Sequence, residues 1–306
     1  MAFFEKALRA KVMSTHLLIR ANVSKNILLQ AHKIATDFES RYSAYKKDSY
    51  LNSINKNAGK IPTPCTPEDY ALFFASLKAS EQTNGLFDIS MGVLSHGVYH
   101  FGFANESKAS KKEIEKNRGL VNYKNIELSP ESILLKRKGM RLDLGGIGKG
   151  YVAKQIALFL EKKGATKILV DVGGEILTRG KSYTIAIKDP FNPDEKANIA
   201  YIKTSKEDIA ISTSGSYERF IDEENHHILD HKNGSSNHYY TSMTLLQNSW
   251  DIEFLDAYAT ALYNQPVENL NAYCDSLNLC LIAIESDAQI VKLNLEKLKL
   301  KSLQFL

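Results

Sequence analysis

The feature that most constrains the fold is a series of strand candidates that regularly spaced helices do not separate. Five apolar stretches have strand length, namely KILVDV, SYTIAIK, DIAIST, YYTSMTLL and LCLIAI, and an earlier one is THLLIRANV. Helical patterns separate some of them, whereas others follow one another directly. A doubly wound sheet needs a helix between successive parallel strands. This order therefore predicts an α+β fold with largely antiparallel sheets and packed helices.

Helix start signals fall between these strands. Ser24 precedes apolar residues at helical spacing, and Thr66 is followed by Pro67 and by Asp69 three residues on. Ser110 and Glu113 repeat the same capping pattern. We expect helices to begin at all three places.

Composition limits the size and the class of the protein. The chain has 306 residues, is 43% hydrophobic and carries a formal net charge of +4. This length allows one large domain or two small ones. No long basic block is present, so we expect no nucleic-acid partner. The three cysteines lack metal or redox spacing and suit a reducing compartment.

A glycine-rich segment, RLDLGGIGKGYVAKQIALFLEKKG, joins a strand end to an amphipathic helix. It lacks the hydroxyl residue that a Walker A loop places after its lysine, and Tyr151 stands where a dinucleotide fingerprint needs glycine. The helix start, Lys149 and Asp143 nevertheless favour an anionic ligand or a metal. The alternative is a tight strand-to-helix turn capped by Asp143.

Three further stretches carry polar groups. In FLDAYATALYN, Asp256 and Thr260 share one helical face, where their oxygens suit Mg²⁺, although such a pair also occurs on solvated helix faces. ISTSGSYERF offers hydroxyl groups for a phosphate or a ribose, or forms a polar turn. NHHILDHKNG pairs His227 with Asp230 as a candidate general base, or forms a surface turn, and lacks a zinc-ligand set.

Eight short segments follow one another along the chain: MST, RYSAYKKDSYLNSIN, GLFDISMGVL, DLGGIGKGY, DVGGEI, STSGSYERF, HILDHKNG and DAYATAL. Taken in this order, they resemble the ApbE family of FAD:protein FMN transferases. The resemblance implies an ApbE-type, T-fold-like α+β architecture. The chain would form a single domain over residues 1–306 or two intertwined α/β subdomains, with a ligand site between the two halves. The resemblance also implies an enzyme that transfers the FMN half of FAD to a threonine hydroxyl of an acceptor flavoprotein, such as an electron-transfer subunit, and releases AMP.

The resemblance also assigns roles. His227 would be the base, and Asp256, Thr260 and the Gly146 carbonyl would hold Mg²⁺ or Mn²⁺. Lys149 would lie near FAD, and Ser214 and Glu175 would give polar support. The remaining positions that match FAD-contacting residues of the family are Met13, Tyr45, Leu86, Phe87, Asp88, Asp143 and Leu229.

Departures from the family pattern leave alternatives open. Ser14, Val93, His231 and Leu255 replace residues that are more usual in the family. The N-terminus shows no signal peptide or membrane anchor, which predicts a cytoplasmic protein, or a periplasmic, membrane-associated one if the true start lies upstream. An FAD pyrophosphatase that releases FMN and AMP, or a non-catalytic FAD-binding protein, remains compatible with the same residues.

Overall fold

The computed structural model describes residues 4–192, 194, 197–218, 220–222 and 224–306. Within these ranges it contains sixteen strands and eight α-helices. The strands are β1 Lys6–Val12, β2 Thr15–Ala21, β3 Thr63–Pro64, β4 Ile126–Ser129, β5 Ser132–Leu135, β6 Ile168–Val172, β7 Glu175–Arg179, β8 Thr184–Lys188, β9 Asn198–Thr204, β10 Ile209–Gly215, β11 Phe220–Asp222, β12 Asn225–His226, β13 Tyr240–Gln247, β14 Cys280–Glu285, β15 Ile290–Leu293 and β16 Leu300–Phe305. The helices are α1 Lys25–Tyr42, α2 Tyr50–Asn57, α3 Pro67–Gln82, α4 Gly92–Ser95, α5 Lys111–Arg118, α6 Gly148–Lys162, α7 Ile252–Leu262 and α8 Val267–Ser276.

The main sheet has eight strands in the order β1-β2-β6-β7-β10-β13-β14-β15. Every neighbouring pair in it is antiparallel. The predicted α+β class with antiparallel sheets is therefore confirmed. Strand β2 pairs with β6 across a long stretch of chain, with Leu17 opposite Val172 and Ala21 opposite Ile168.

Three smaller sheets lie outside the main one. Strands β16, β9 and β8 form one three-stranded sheet, β3, β5 and β4 form another, and β11 pairs with β12. The SYTIAIK stretch thus contributes β8 to a separate sheet rather than to the main one. Its apolar face packs with β9 and β16 on a second core cluster that includes Ile187, Ala200 and Ile202.

Helices α6 and α7 pack on each other, α6 packs on β6, and α7 packs on β10 and β13. Fully buried apolar residues on α6, such as Val152 and Ile156, join fully buried residues of α7 and of the sheet in the largest core cluster. This layer holds the start of α6 and one face of α7 close together beneath the sheet.

The predicted capping signals form as expected. Thr66 and Asp69 make a reciprocal capping box at the start of α3, and Ser110 and Glu113 make one at α5. Asp69 also accepts hydrogen bonds from Arg41 Nε (2.8 Å) and the Tyr42 hydroxyl (2.5 Å) of α1. Its side chain is fully buried, so one carboxylate fixes the start of α3 and ties it to α1.

No helix in the described part of the chain is long and apolar enough to cross a membrane. The C-terminal stretch IVKLNLEKLKLKSLQFL, in which lysines alternate with apolar residues, contains two edge strands. Strand β15 lies at the edge of the main sheet, and β16 lies at the edge of a small one.

Candidate functional site

The glycine-rich segment forms a compact turn that leads directly into α6. The Gly148 amide donates to the Leu144 carbonyl at 2.8 Å, and the Asp143 amide donates to Ile89 O at 2.8 Å. Ile147, at the position before the helix, makes no side-chain cap. A backbone amide of the first turn of α6 that has no acceptor in this segment therefore needs one from another segment.

Gly150 lets α6 approach α7 closely. A Cβ atom at this position would lie 2.6 Å from the carbonyl oxygen of Ile252 and 2.9 Å from the Cβ of Asp256. At this crossing the Gly150 amide donates to Asp256 Oδ2 at 2.9 Å. The carboxylate of Asp256, which is 2% exposed, thus caps the first turn of α6 from the neighbouring helix.

Gly146 meets Thr260 on the same face of α7. A Cβ atom on Gly146 would lie 2.8 Å from Thr260 Oγ1 and 3.3 Å from a ring carbon of Phe87. The Thr260 hydroxyl donates to the Asp256 carbonyl one turn earlier, at 3.1 Å. The structure therefore brings together Gly146, Asp256 and Thr260, the three residues that the sequence proposes as metal ligands.

Lys149 lies between two buried carboxylates. Its ammonium donates to Glu175 Oε1 at the start of β7 and lies 3.7 Å from Asp256 Oδ1. Glu175 is fully buried, and its Oε2 atom makes no hydrogen bond of normal geometry. The single positive charge of Lys149 therefore lies next to two carboxylates that have little access to water.

These surroundings shift the pKa of both acids upward. Burial raises the pKa of Glu175, and the charge of Asp256 raises it further, against the opposing effects of Lys149 and the nearby Ser212 hydroxyl. Burial likewise raises the pKa of Asp256, against Lys149 and the Gly150 amide. Lys149 alone thus does not fully stabilise both carboxylates in their ionised forms.

An oxygen-liganded divalent cation fits this donor set. The groups available are a buried carboxylate, a hydroxyl and the backbone of a glycine, and a second buried carboxylate has an unpartnered oxygen. Hard cations such as Mg²⁺ prefer oxygen ligands, and a bound cation would reverse the upward pKa shifts. Among the described residues no group of three or more His, Cys, Asp or Glu side chains forms a metal-holding cluster, so the donor set is unlike that of zinc sites.

Asp143 is held by a second network. Its Oδ2 atom accepts from the Ser95 hydroxyl at 2.8 Å and lies 3.0 Å from His96 Nε2, while Oδ1 accepts from the Gly145 amide at 2.8 Å. Burial acts to raise the pKa of Asp143. His96, the Gly145 amide and Ser95 outweigh that effect and hold the pKa well below its usual range.

The sequence did not single out His96. Its side chain is 5% exposed, and its Nδ1 atom has no hydrogen-bond partner. Its ring lies 5.4 Å from that of Tyr45 and 5.5 Å from that of Phe103, measured between centroids. Tyr45 is 42% exposed, so these three rings present an aromatic surface next to Asp143.

Met13 reaches the same helix start from the β1–β2 hairpin. Met13 and Ser14 form the turn, both with positive φ (52° and 62°). The Met13 Cε atom would lie 3.4 Å from a Cβ on Gly148. Positive φ at two consecutive residues is the conformation of a type I′ turn, so Ser14 in place of glycine is accommodated here with some strain.

The segment Leu86–Asp88 lies on the other side of the turn. Phe87 is buried against Gly146, and Leu86 is half-buried. Asp88 accepts from the Ser90 hydroxyl and amide through Oδ1 and from the Tyr123 amide (2.7 Å) through Oδ2. Both of its oxygens are therefore engaged in holding the local chain, which is a structural use that the sequence did not predict for it.

The histidine-rich segment packs against the end of α7. Asn264 Nδ2 donates to Leu229 O at 3.1 Å, and the His226 ring lies 5.7 Å from the Tyr263 ring. Residues 263–264 follow Thr260 by about one helical turn, or roughly 5 Å along the axis. The chain that carries His227 and Leu229 is thus anchored beside the Asp256–Thr260 face.

Asp230, the proposed partner of His227, accepts from the Lys232 amide at 3.0 Å and contacts His231 Nδ1 at 3.4 Å and Asn237 Nδ2 at 3.3 Å. His231 occupies the carboxylate because it stands next to it in the turn. His227 is half-buried. Ser214, on β10, is also half-buried and lies opposite Met243 of β13.

Fold and site together define an α+β protein whose glycine-built helix start meets an oxygen-rich face of a neighbouring helix. The model of the ApbE family matches residues 13–283, and the chain belongs to this family.

Individual relatives agree with this assignment. The FAD:protein FMN transferase of Klebsiella pneumoniae (strain 342) is 29% identical over 202 residues, which make up 64% of this chain and 62% of that protein. The FAD:protein FMN transferase of Treponema pallidum (strain Nichols) is 28% identical over 219 residues, or 64% of this chain and 59% of that protein. The chain thus spans about three fifths of the length of these curated relatives.

Solved structures match over nearly the whole chain. The ApbE protein of Thermotoga maritima has a TM-score of 0.86 at 25% identity and covers 98% of this chain and 100% of its own. The flavin transferase ApbE of Vibrio cholerae has a TM-score of 0.79 at 21% identity, covers 94% and 96%, and has the same fold.

Proposed function

We propose that this protein transfers the FMN moiety of FAD to a threonine hydroxyl of an acceptor protein and releases AMP. The threonine oxygen forms a new bond to the FMN phosphorus, the bridging P–O bond to the AMP phosphate breaks, and the hydroxyl proton passes to a base. The names of the two curated relatives, both FAD:protein FMN transferases, support this reaction.

One observation carries the proposal. Asp256 and Thr260, one turn apart on α7, meet Gly146 at the start of α6, and Lys149 adds a positive charge beside them. A pyrophosphate is an anion that needs cationic neutralisation and backbone NH donors, and a helix start supplies the donors. The two helices place both kinds of group at one point.

Asp256, Thr260 and Gly146 would hold a divalent cation, Mg²⁺ or Mn²⁺. When bound, such a cation would neutralise charge on the pyrophosphate and polarise the bond that breaks. Lys149 adds a cationic contact, and the Gly150 amide keeps Asp256 in position through Oδ2.

The flavin end of the substrate fits the aromatic surface formed by Tyr45, His96 and Phe103. Tyr45 is exposed enough to stack on an isoalloxazine ring, and Asp143 beside it is an ionised acceptor for a flavin NH. Met13, Leu86, Phe87 and Leu229 supply apolar walls, and Ser214 supplies a hydroxyl.

His227 is the proposed base because its segment is anchored at the end of α7, next to Thr260. A neutral imidazole can take the threonine proton near neutral pH, which a threonine hydroxyl needs in order to act as a nucleophile. The acceptor we propose is a flavoprotein, with an electron-transfer subunit as the specific candidate.

The test incubates the full chain with FAD and MgCl₂, with and without a candidate acceptor, and follows free FMN, AMP and the acceptor mass. We expect an acceptor whose mass rises by one FMN, with an equivalent amount of AMP. Replacing the target threonine of the acceptor with valine is the matched control and should abolish the mass increase. Equal release of free FMN in both tubes, with unmodified acceptor, would identify a pyrophosphatase instead. FAD binding that survives chelation, without turnover, would identify a flavin-binding protein.

A further inference from the structure

The Lys149 ammonium lies close to the Asp256 carboxylate, which is a proposed ligand of the divalent cation. A lysine ammonium and a divalent cation are attracted to the same carboxylate, and Lys149 lies one residue before Gly150, whose amide fixes that carboxylate. Without another partner, Lys149 would be drawn into a direct ion pair with Asp256 in this weakly hydrated site.

The distances show which acid Lys149 prefers. Its ammonium donates a hydrogen bond to Glu175 Oε1 but stands 3.7 Å from Asp256 Oδ1, beyond hydrogen-bond distance. Asp256 Oδ2 is already engaged by the Gly150 amide at 2.9 Å. Oδ1 is therefore only loosely paired with the ammonium, and it is the oxygen that a cation could take.

We propose that Glu175 is a positioning residue that holds the Lys149 ammonium and thereby keeps Asp256 Oδ1 available to a divalent cation. This inference rests on the proposed cation site and adds a role to a residue that the proposed function does not use. The start of β7 fixes Glu175, since its neighbour Ile176 pairs with Ile211 of β10 and Glu175 itself pairs with Val172 of β6.

Charge counting supports the same role. Glu175 is fully buried and Asp256 is 2% exposed, so their charges are balanced mainly by groups on the protein. When both carboxylates are ionised, Lys149 cancels one of the two negative charges, which leaves a net negative site for a cation. If Glu175 lost its charge, Lys149 would cancel Asp256 instead, and the site would become neutral.

A competing explanation is that Glu175 binds the cation directly through Oε2. Both explanations predict weaker cation binding when Glu175 is neutralised. They differ when Lys149 is neutralised as well. If Glu175 only holds Lys149, removing the lysine charge should restore cation binding in the variant that lacks the Glu175 charge. If Glu175 is itself a cation ligand, binding should remain weak.

The experiment measures Mn²⁺ binding to the full chain in the absence of FAD, from the free-ion signal in electron paramagnetic resonance. The variants are Glu175→Gln, Lys149→Met and the double variant, with Asp256→Asn to locate the site. Glu161→Gln is the matched control. Glu161 lies on α6, as Lys149 does, and pairs with Arg179 of β7, but it lies about 20 Å along the axis from the start of α6.

We expect Glu175→Gln to weaken Mn²⁺ binding about tenfold or more, and the double variant to return to within about threefold of the original affinity, because coupled charges give non-additive effects of this size. Glu161→Gln should leave binding unchanged. A double variant as weak as Glu175→Gln, or an unaffected Glu175→Gln, would overturn the positioning role. If the original protein bound no Mn²⁺, or if Asp256→Asn bound it equally well, the proposed cation site itself would be wrong, and this inference with it.

Discussion

Replacing Gly150 with alanine tests the close crossing of α6 and α7 on which the site depends. The added methyl group would lie 2.6 Å from Ile252 O, 2.9 Å from Asp256 Cβ and 2.9 Å from Glu253 Cα. Carbon atoms pack at about 3.5–4.0 Å, so the helices would have to separate by roughly 1 Å. Two of the three atoms belong to the backbone of α7, and Ile252 and Asp256 are buried, so the methyl group has no space to enter.

The magnitude follows from two opposing effects. Alanine in place of glycine favours a helix by up to about 1 kcal/mol, whereas overpacking a core costs about 1–3 kcal/mol or more. Since the contacts are with backbone, we expect the upper part of that range and a net loss of about 1–2 kcal/mol in the free energy of unfolding.

The assay is urea denaturation followed by circular dichroism, with Gly119→Ala as the matched control. Gly119 has nothing within 4 Å of the added methyl group, and its φ is −64°. This control should be neutral or slightly stabilising. If Gly150→Ala unfolded at the same urea concentration as Gly119→Ala, the close approach of α6 and α7 would be refuted.

Three further predictions address the site and the core. Asp256→Asn should abolish Mg²⁺-dependent FMN transfer while keeping the circular dichroism spectrum, because one carboxylate charge is lost from an otherwise similar side chain; full transfer activity in this variant would remove the cation assignment. His227→Ala should retain FAD binding in an equilibrium titration but stop modification of the acceptor, and undiminished modification would show that another group takes the proton. Asp69→Asn should lower the free energy of unfolding by about 2–3 kcal/mol, less than for a fully buried pair because Arg41 is 40% exposed. Burial raises the pKa of Asp69, but bonds from Arg41, Tyr42 and Thr66 outweigh it and lower the pKa below 3.8. The difference between this variant and the original protein should therefore be constant above that pH and shrink as the pH falls further, and a difference that grew in acid would contradict the assigned sign.

Local signals predicted the separate elements of the fold well. The capping boxes at Thr66 and Ser110 begin α3 and α5, and the stretches KILVDV, DIAIST, YYTSMTLL and LCLIAI become β6, β10, β13 and β14. In each case residues close in the sequence determine the outcome. The β4–β5 hairpin was not predicted, although Pro130 and Glu131 between two apolar runs are a usable turn signal.

Local sequence patterns do not determine which strands pair when the strands are far apart in the chain. Nothing in THLLIRANV shows that Leu17 pairs with Val172, because apolar alternation fixes which face is buried but not which strand is adjacent. The assignment of β8 and β9 to a separate sheet was missed for the same reason.

The sequence indicated those parts of the candidate site whose residues lie close together along the chain. Asp256 and Thr260 are one helical turn apart, so their common face is visible in the sequence, and family resemblance supplied Gly146. His96 had no such signal, because its partner Asp143 lies far along the chain and a lone histidine is uninformative. The Glu175–Lys149 contact likewise joins a strand start to a helix start, which only the folded chain reveals.

The strand order of the main sheet has a consequence for how the molecule is made. From β1 to β15 the strands lie side by side in the order in which a ribosome would deliver them. Each strand that emerges can add to the edge left open by its predecessor, so no earlier pairing has to be undone during synthesis. Helix α7 emerges only after β13, so a nascent chain would assemble most of this sheet before Asp256 and Thr260 could meet the start of α6.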